Sequence, residues 1–160
     1  MESVKIVTSG RHTRKSSKLS ILDVGGNDGK VAAGHYPNCD IRTIDIKSGW
    51  DVMQYGLPHG TWDVIFANHF IEHISDPDEF LDDCRRSMNK YSILEIGTPN
   101  LAAWFNRILF LFGYVPHSVE LSKRHNVGKP FDWNKEPLGG HVYVYTVPAL
   151  LELLRHHNFK

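Results

Sequence analysis

Apolar and polar positions along this chain follow two rhythms. Short runs rich in Ile, Leu and Val occur at Leu19–Val24, Ile41–Ile46, Trp62–Ala67 and Tyr91–Ile96. Runs of that length bounded by Gly, Pro, Asn or Asp predict buried strands. Between them the spacing turns helical. Gly29–His35 predicts a short helix packed through Val31, Ala32 and Ala33, with Pro37-Asn38 marking the turn after it. Asp76-Pro77-Asp78-Glu79 predicts a helix start, with Asp76 as N-cap, Pro77 in the first turn and Glu79 as the capping-box return. Phe80, Leu81, Cys84 and Met88 then recur on one face, while Arg85, Arg86 and Lys90 gather where the helix dipole favours cations. Strands alternating with helices predict an α/β fold with a doubly wound, mostly parallel sheet.

The rest of the chain breaks that rhythm. Residues 1–18 read as a leading segment, its basic stretch Gly10–Lys18 a solvated loop. Gly49, Gly56, Pro58 and Gly60 punctuate a loop-rich passage. Leu101–Phe112 predicts a bulky apolar helix, capped by Asn100 and packed into the core through Trp104, Phe105, Phe110 and Phe112; a lid over an apolar pocket, or a rest on lipid, is the functional alternative. A stretch rich in Pro, Gly, His and charge runs on to Gly139-Gly140, an insertion beside the carboxyl edge of the sheet. Thr146 caps a last amphipathic helix carrying Val147, Leu150, Leu151, Leu153 and Leu154. The expected organisation is one domain over 1–160: a leading segment (1–18), a ligand-binding core (19–100), an insertion or lid (101–140) and a C-terminal helical region (141–160).

Composition narrows the partners. Eighteen basic and 18 acidic side chains cancel, so no nucleic acid and no anionic membrane is called for by charge. The longest apolar segment is well short of the ~20 residues of a membrane span, and no secretory leader is visible. Cys39 and Cys84 form no C-x-x-C pair, and a reduced cytoplasmic protein is the simplest expectation.

The chemistry concentrates in Leu22-Asp23-Val24-Gly25-Gly26-Asn27-Asp28-Gly29. A buried strand ending in glycines turns sharply and exposes backbone N–H groups to a ligand. A dinucleotide site wants G-x-G-x-x-G, yet Asn27 and Lys30 stand at its second and third glycines, and Asp28 would repel a pyrophosphate. An acidic turn suits a nucleoside that carries a cationic amino acid instead.

These residues resemble the first motif of the class I, Rossmann-like methyltransferases that use S-adenosylmethionine, whose usual form is close to L-D-V-G-C-G-T-G. Thr43-Ile44-Asp45-Ile46 resembles the second motif, where an acid holds both ribose hydroxyls; Asp45 follows Gly25 at about the interval of a ribose-binding acid. Gly60–Ile74 is similar to the family's G-S-F-D-x-V followed by L-E-H-V, and Ile93–Asn100 to its fifth strand. The resemblance covers roughly residues 19–100 and 140–160. It implies S-adenosylmethionine as cofactor, with Asp23, Gly25, Gly26, Asn27, Gly29, Asp45, Ile46, Met53, Gln54 and Asn68 around it. Met53 packs on the adenine and Gln54 hydrogen-bonds it where the family often has an acid, with Asp51 a further candidate. Three departures stand out: Asn27 replaces a glycine, the middle is contracted to Lys47–Gly56, and the usual last two strands are missing after Lys160, which leaves a sheet edge open.

Methyl transfer from a sulfonium is an in-line displacement in which the protein chiefly aligns the acceptor and excludes water. A base is needed only where the acceptor must lose a proton. His69 and His73 are the candidates for that role, beside Asn68 and Glu72. Some ubiquinone-pathway and small-RNA methyltransferases carry E-x-x-E-H here and bind a divalent metal. His69-x-x-Glu72-His73 resembles that motif with one carboxylate replaced by imidazole. With His141 the set would suit a borderline metal such as zinc better than magnesium, but this reading assigns no metal. The expected function is methyl transfer to a small-molecule or lipid-like acceptor. The alternative is a cofactor-binding regulatory module without turnover. A nicotinamide-dependent reductase is disfavoured by Asn27 and Asp28.

Overall fold

A computed structural model describes residues 18–130 and 140–160 in full and the backbone of 3–8. Five strands form one sheet: β1 (Ser3–Thr8), β2 (Ser20–Val24), β3 (Asp40–Ile44), β4 (Val64–Asn68) and β5 (Ile93–Pro99), in the order β1-β5-β4-β2-β3. β3, β2, β4 and β5 are parallel, with Leu22 level with Arg42 on one side and Ile65 on the other. β1 closes the β5 edge antiparallel, Ile6 opposite Ile96.

The alternation within the strands explains why both faces are covered. On β2 and β4, Ile21, Val64 and Phe66 point to one face and meet Ala32 of α1 (Lys30–His35). Leu22, Val24, Ile65, Ala67, Leu94 and Ile96 point to the other. There they meet Phe80, Leu81 and Cys84 of α3 (Pro77–Arg86) and Leu150 and Leu154 of α5 (Val147–His156). Strands buried on both faces read as continuous apolar runs, which is what made them visible. The caps follow the sequence: Asp76 accepts from the Glu79 N–H at 2.9 Å and Thr146 from the Ala149 N–H at 3.3 Å.

Four expectations change. Within the leading segment Ser3–Thr8 is a strand that the sequence reading did not foresee, because the outer edge of β5 offers it a row of backbone partners; that edge is therefore not open. Gly10–Ser17 lies outside the described residues. β5 runs through Gly97 and Pro99 instead of stopping there. Gly97 marks a close approach, since a Cβ on it would lie 2.2 Å from Asn68 Oδ1. In α1 only Ala32 is buried, while Val31 faces solvent.

The fourth change concerns α4 (Trp104–Leu111). Its N-cap is Ala103, and Asn100 instead accepts from the Ala102 N–H at 3.0 Å. The helix is not core: Trp104 is 68% exposed and Leu111 81%, with Phe110 and Phe112 also exposed. Its one buried residue is Asn106, whose amide donates to the Asn100 carbonyl at 3.0 Å. No described helix is long and apolar enough to cross a membrane, and both cysteines are free thiols.

Candidate active site

The chain leaves β2 toward β3 on one side and returns to β4 on the other, so the sheet reverses its winding between β2 and β4. Ligands of open α/β sheets bind at the carboxyl ends of strands beside such a reversal. Here the carboxyl ends of β2, β3 and β4 deliver Gly25, Asp45 and His69 to one cleft of about 740 Å³. The β3 side adds Ile46, Lys47, Trp50, Asp51, Val52 and Met53; the β4 side adds Phe70, His73, Ile74 and Ser75, with Val142 from beyond the insertion.

The glycine turn is built as its composition requires. Gly25, Asn27 and Gly29 all have left-handed backbone, φ 71°, 53° and 72°, and Asn is among the few side chains that tolerate this. Gly25 lies against Phe70, where a Cβ would come within 2.5 Å of the ring. Gly26 lies on the buried Asp23 carboxylate, where a Cβ would fall 1.8 Å from Oδ2. Asp23 does not accept the turn N–H groups; its Oδ2 accepts from the Thr43 hydroxyl at 3.2 Å, and its Oδ1 is buried without a hydrogen bond. Burial pushes its pKa up, with Asp45 and Asp28 adding to the rise and Thr43 opposing it.

Asp45 caps the 3-10 turn Ile46–Ser48. Its Oδ1 accepts from the Lys47 N–H at 2.8 Å and its Oδ2 from the Asn27 N–H at 3.1 Å. The second bond ties the glycine turn to the end of β3 and fixes the distance between them. Each oxygen keeps a lone pair for a ligand. Asp51 caps α2 (Val52–Tyr55) by accepting from the Met53 N–H at 2.9 Å, which sets Met53 in the cleft wall. Gln54 is exposed and does not line the cleft. Asn68 is half-buried against Gly97 and does not line it either. Asp23, Gly26, Asn27 and Gly29 do not line it; the short helix leaves Gln54 exposed, and Asn68 packs against Gly97 of β5.

After β4 the chain turns through His69, itself left-handed at φ 54°. His69 Nδ1 lies 3.1 Å from Glu72 Oε1. That hydrogen bond holds the imidazole pKa above its ordinary value against the opposing effect of burial. Burial pushes the Glu72 carboxyl up, but the bonds it accepts outweigh this, and it sits below the usual range. Sequence reasoning missed Trp50, Phe70 and Val142. Trp50 is oriented by its indole N–H, which donates to the Gly56 carbonyl at 3.0 Å, and Val142 reaches the cleft only through tertiary folding.

The sequence pattern of the methyltransferase-domain family matches residues 8–160. The chain belongs to that family. The methyltransferase domain is similar to a solved structure from Thermotoga maritima, described as an S-adenosylmethionine-dependent methyltransferase and possible histamine N-methyltransferase. The TM-score is 0.56 at 12% identity, covering 91% of this chain and 65% of that one. The chain thus spans about two thirds of that neighbour's length, and the likeness establishes the Rossmann-like fold. No curated protein matches the sequence. Membership makes S-adenosylmethionine the cofactor expected of the domain, and the cleft fits it. The glycine cradle has no room for side chains, a carboxylate stands at the end of β3, and ~300–1,000 Å³ is the usual range for such ligands.

Proposed function

We propose that this methyltransferase domain transfers the methyl group of S-adenosylmethionine to a small-molecule or lipid-like acceptor. The observation that carries the proposal is the coupling of the glycine turn to Asp45 through the Asn27 N–H along one cleft. Asp45 accepts the ribose hydroxyls. The turn from Gly25 to Gly29 receives the amino-acid tail, with the Asp23 carboxylate beneath it as a nearby negative charge. Met53 and Ile46 supply apolar surface for the adenine. Asp51, which lines the cleft, is the candidate partner of the adenine amino group.

The bound cofactor supplies an activated methyl carbon. What remains for the chain is to bind, orient and dry the reacting pair. His69 and His73 line the cleft and either position the acceptor or take its proton. The exposed apolar surface of α4, which follows directly from the end of β5, supports an acceptor with apolar character.

The test is calorimetric titration with S-adenosylhomocysteine. One site per chain is expected, and Asp45→Ala should weaken binding by about 10- to 100-fold, as expected for charge-assisted hydrogen bonds worth about 1.5–3 kcal/mol. Absence of binding to the folded wild type, or equal binding by the variant, would overturn the reading.

A further inference from the structure

The helix α4 is amphipathic in the inverse sense of a packed element. Its inward residue is polar: Asn106 is buried, and its amide donates to the Asn100 carbonyl at 3.0 Å. Its outward stripe is apolar. Trp104, Ile108 and Leu111 recur at the i, i+4, i+7 spacing of one helix face, Phe112 is the C-cap, and all four are exposed. We infer that this face docks on the surface of an anionic lipid bilayer, with α4 lying in the membrane–water interface.

Charge selects the occupant. From Asn100 to Pro130 the exposed Lys and Arg side chains are Arg107, Lys123 and Arg124; the one acid, Glu120, is half-buried and accepts from the Gly140 N–H at 3.1 Å. The chain as a whole is neutral, so this positive charge is a local feature. The basic loop is tied to the end of the helix. The Val115 N–H donates to the Gly128 carbonyl at 2.7 Å, and a Cβ on Gly128 would lie 2.5 Å from Val115 and 3.9 Å from Leu121. Lys129 turns inward and donates to the carbonyls of Pro116, His117 and Val119, which holds the loop in place. Leu121 stays exposed just ahead of Lys123. Apolar anchors flanked by Lys and Arg suit an anionic bilayer: rings and aliphatic chains enter the interface while the cations meet phosphates. A second copy of the chain fits worse, because a two-fold pairing sets the same patch against itself and brings like charges together.

Dimensions and position agree with this. α4 has eight residues, about 12 Å of helix, far too short to span a bilayer, so it lies flat. Its aromatic residues are of the kind that settles at headgroup level. The helix follows the carboxyl end of β5, on the edge of the sheet where the cleft lies. The Leu101 N–H donates to the Tyr145 carbonyl at 2.8 Å, which brings the exposed Val142, Tyr143 and Val144 beside the start of α4. Val142 also lines the cleft, so an exposed apolar segment links the helix to the cleft wall. Docking does not depend on methyl transfer; taken with that reading, it brings the cleft to an acceptor dissolved in the membrane.

The test is co-sedimentation of the full chain, without cofactor, with vesicles of phosphatidylcholine alone and with about one third phosphatidylserine. Binding to the mixed vesicles is expected, at least tenfold tighter than to phosphatidylcholine and at least tenfold weaker at about 0.5 M salt than at about 0.05 M. Trp104→Ser/Leu111→Ser and Lys123→Ser/Arg124→Ser change only exposed side chains. Each pair should weaken binding to the mixed vesicles at least tenfold, the basic pair by about fivefold per residue. Lys90→Ser/Lys160→Ser, charge-matched and outside the patch, should bind like the wild type. Brominated lipid should quench the tryptophan emission of the wild type more than that of Trp104→Phe. Absence of binding to the mixed vesicles overturns the inference, as does wild-type binding by Trp104→Ser/Leu111→Ser shown folded by its thermal transition. Sedimentation velocity without lipid covers the rival occupant: a dimer that Trp104→Ser/Leu111→Ser disperses assigns the face to a second copy and overturns the inference. S-adenosylhomocysteine titration of the same samples reports separately on the methyltransferase reading.

Discussion

Gly26→Ala is the sharpest perturbation of the cofactor cradle. The new Cβ would lie 1.8 Å from Asp23 Oδ2, 2.2 Å from Cγ and 2.4 Å from Oδ1. All three atoms belong to a side chain that is 1% exposed, so the carboxylate must move within a packed interior. Overpacking of this kind costs about 1–3 kcal/mol. Displacing Asp23 also breaks its bond from Thr43, worth about 1 kcal/mol or more. Together these give a loss of about 2–4 kcal/mol. With a urea slope of about 2 kcal/mol/M, the unfolding midpoint falls by about 1–2 M. The assay is a double-mutant cycle with Asp23→Ala. Shortening Asp23 removes the atoms in conflict, so Gly26→Ala should then cost less than about 1 kcal/mol, a coupling of about 2 kcal/mol. A Gly26→Ala midpoint equal to that of the wild type, or the same cost in both backgrounds, would refute the steric argument.

Other outcomes follow from the same structure. Phe80→Ala should destabilise by about 3–5 kcal/mol, because the ring is fully buried and packs edge-on to Phe70 at 5.0 Å; chemical denaturation checks it. Asp76→Ala should cost about 0.5–2 kcal/mol through loss of the α3 cap, read from the same curves. His157 lies 2.7 Å from Asp82 and 2.8 Å from Asp78; burial opposes its charge, but the two carboxylates prevail and hold its pKa above 6.5. Its stabilising contribution is therefore full below pH 6.5 and lost as pH rises through the folded-state pKa. Urea midpoints measured from about pH 5.5 to 8.5 should fall more steeply in the wild type than in His157→Ala, and parallel profiles would contradict this.

The parallel core was legible because strands buried on both faces leave unbroken Ile, Leu and Val runs, and because Asp76 and Thr146 announce their helices by local hydrogen bonding. The candidate site was legible where its geometry is local: Gly25 and Gly29 have the left-handed backbone the turn requires, and Asp45 accepts from the Asn27 N–H within it. What escaped depended on partners distant in sequence. Ser3–Thr8 carries too short a pattern to declare a strand without the β5 edge. Gly97 resembles a strand stop until Asn68 is seen against it. The apolar composition of α4 suggested burial, whereas the helix is held through Asn106 and turns its aromatic residues to solvent. Gln54 was placed by motif spacing, which does not specify the direction of a side chain on a one-turn helix.

The most direct test of the central claim is a crystal structure of the chain with S-adenosylhomocysteine. The account predicts both ribose hydroxyls on the Asp45 carboxylate, the amino-acid tail over the turn from Gly25 to Gly29, and the sulfur facing His69 and His73. A nucleoside lying elsewhere, with Asp45 free of contact, would contradict it.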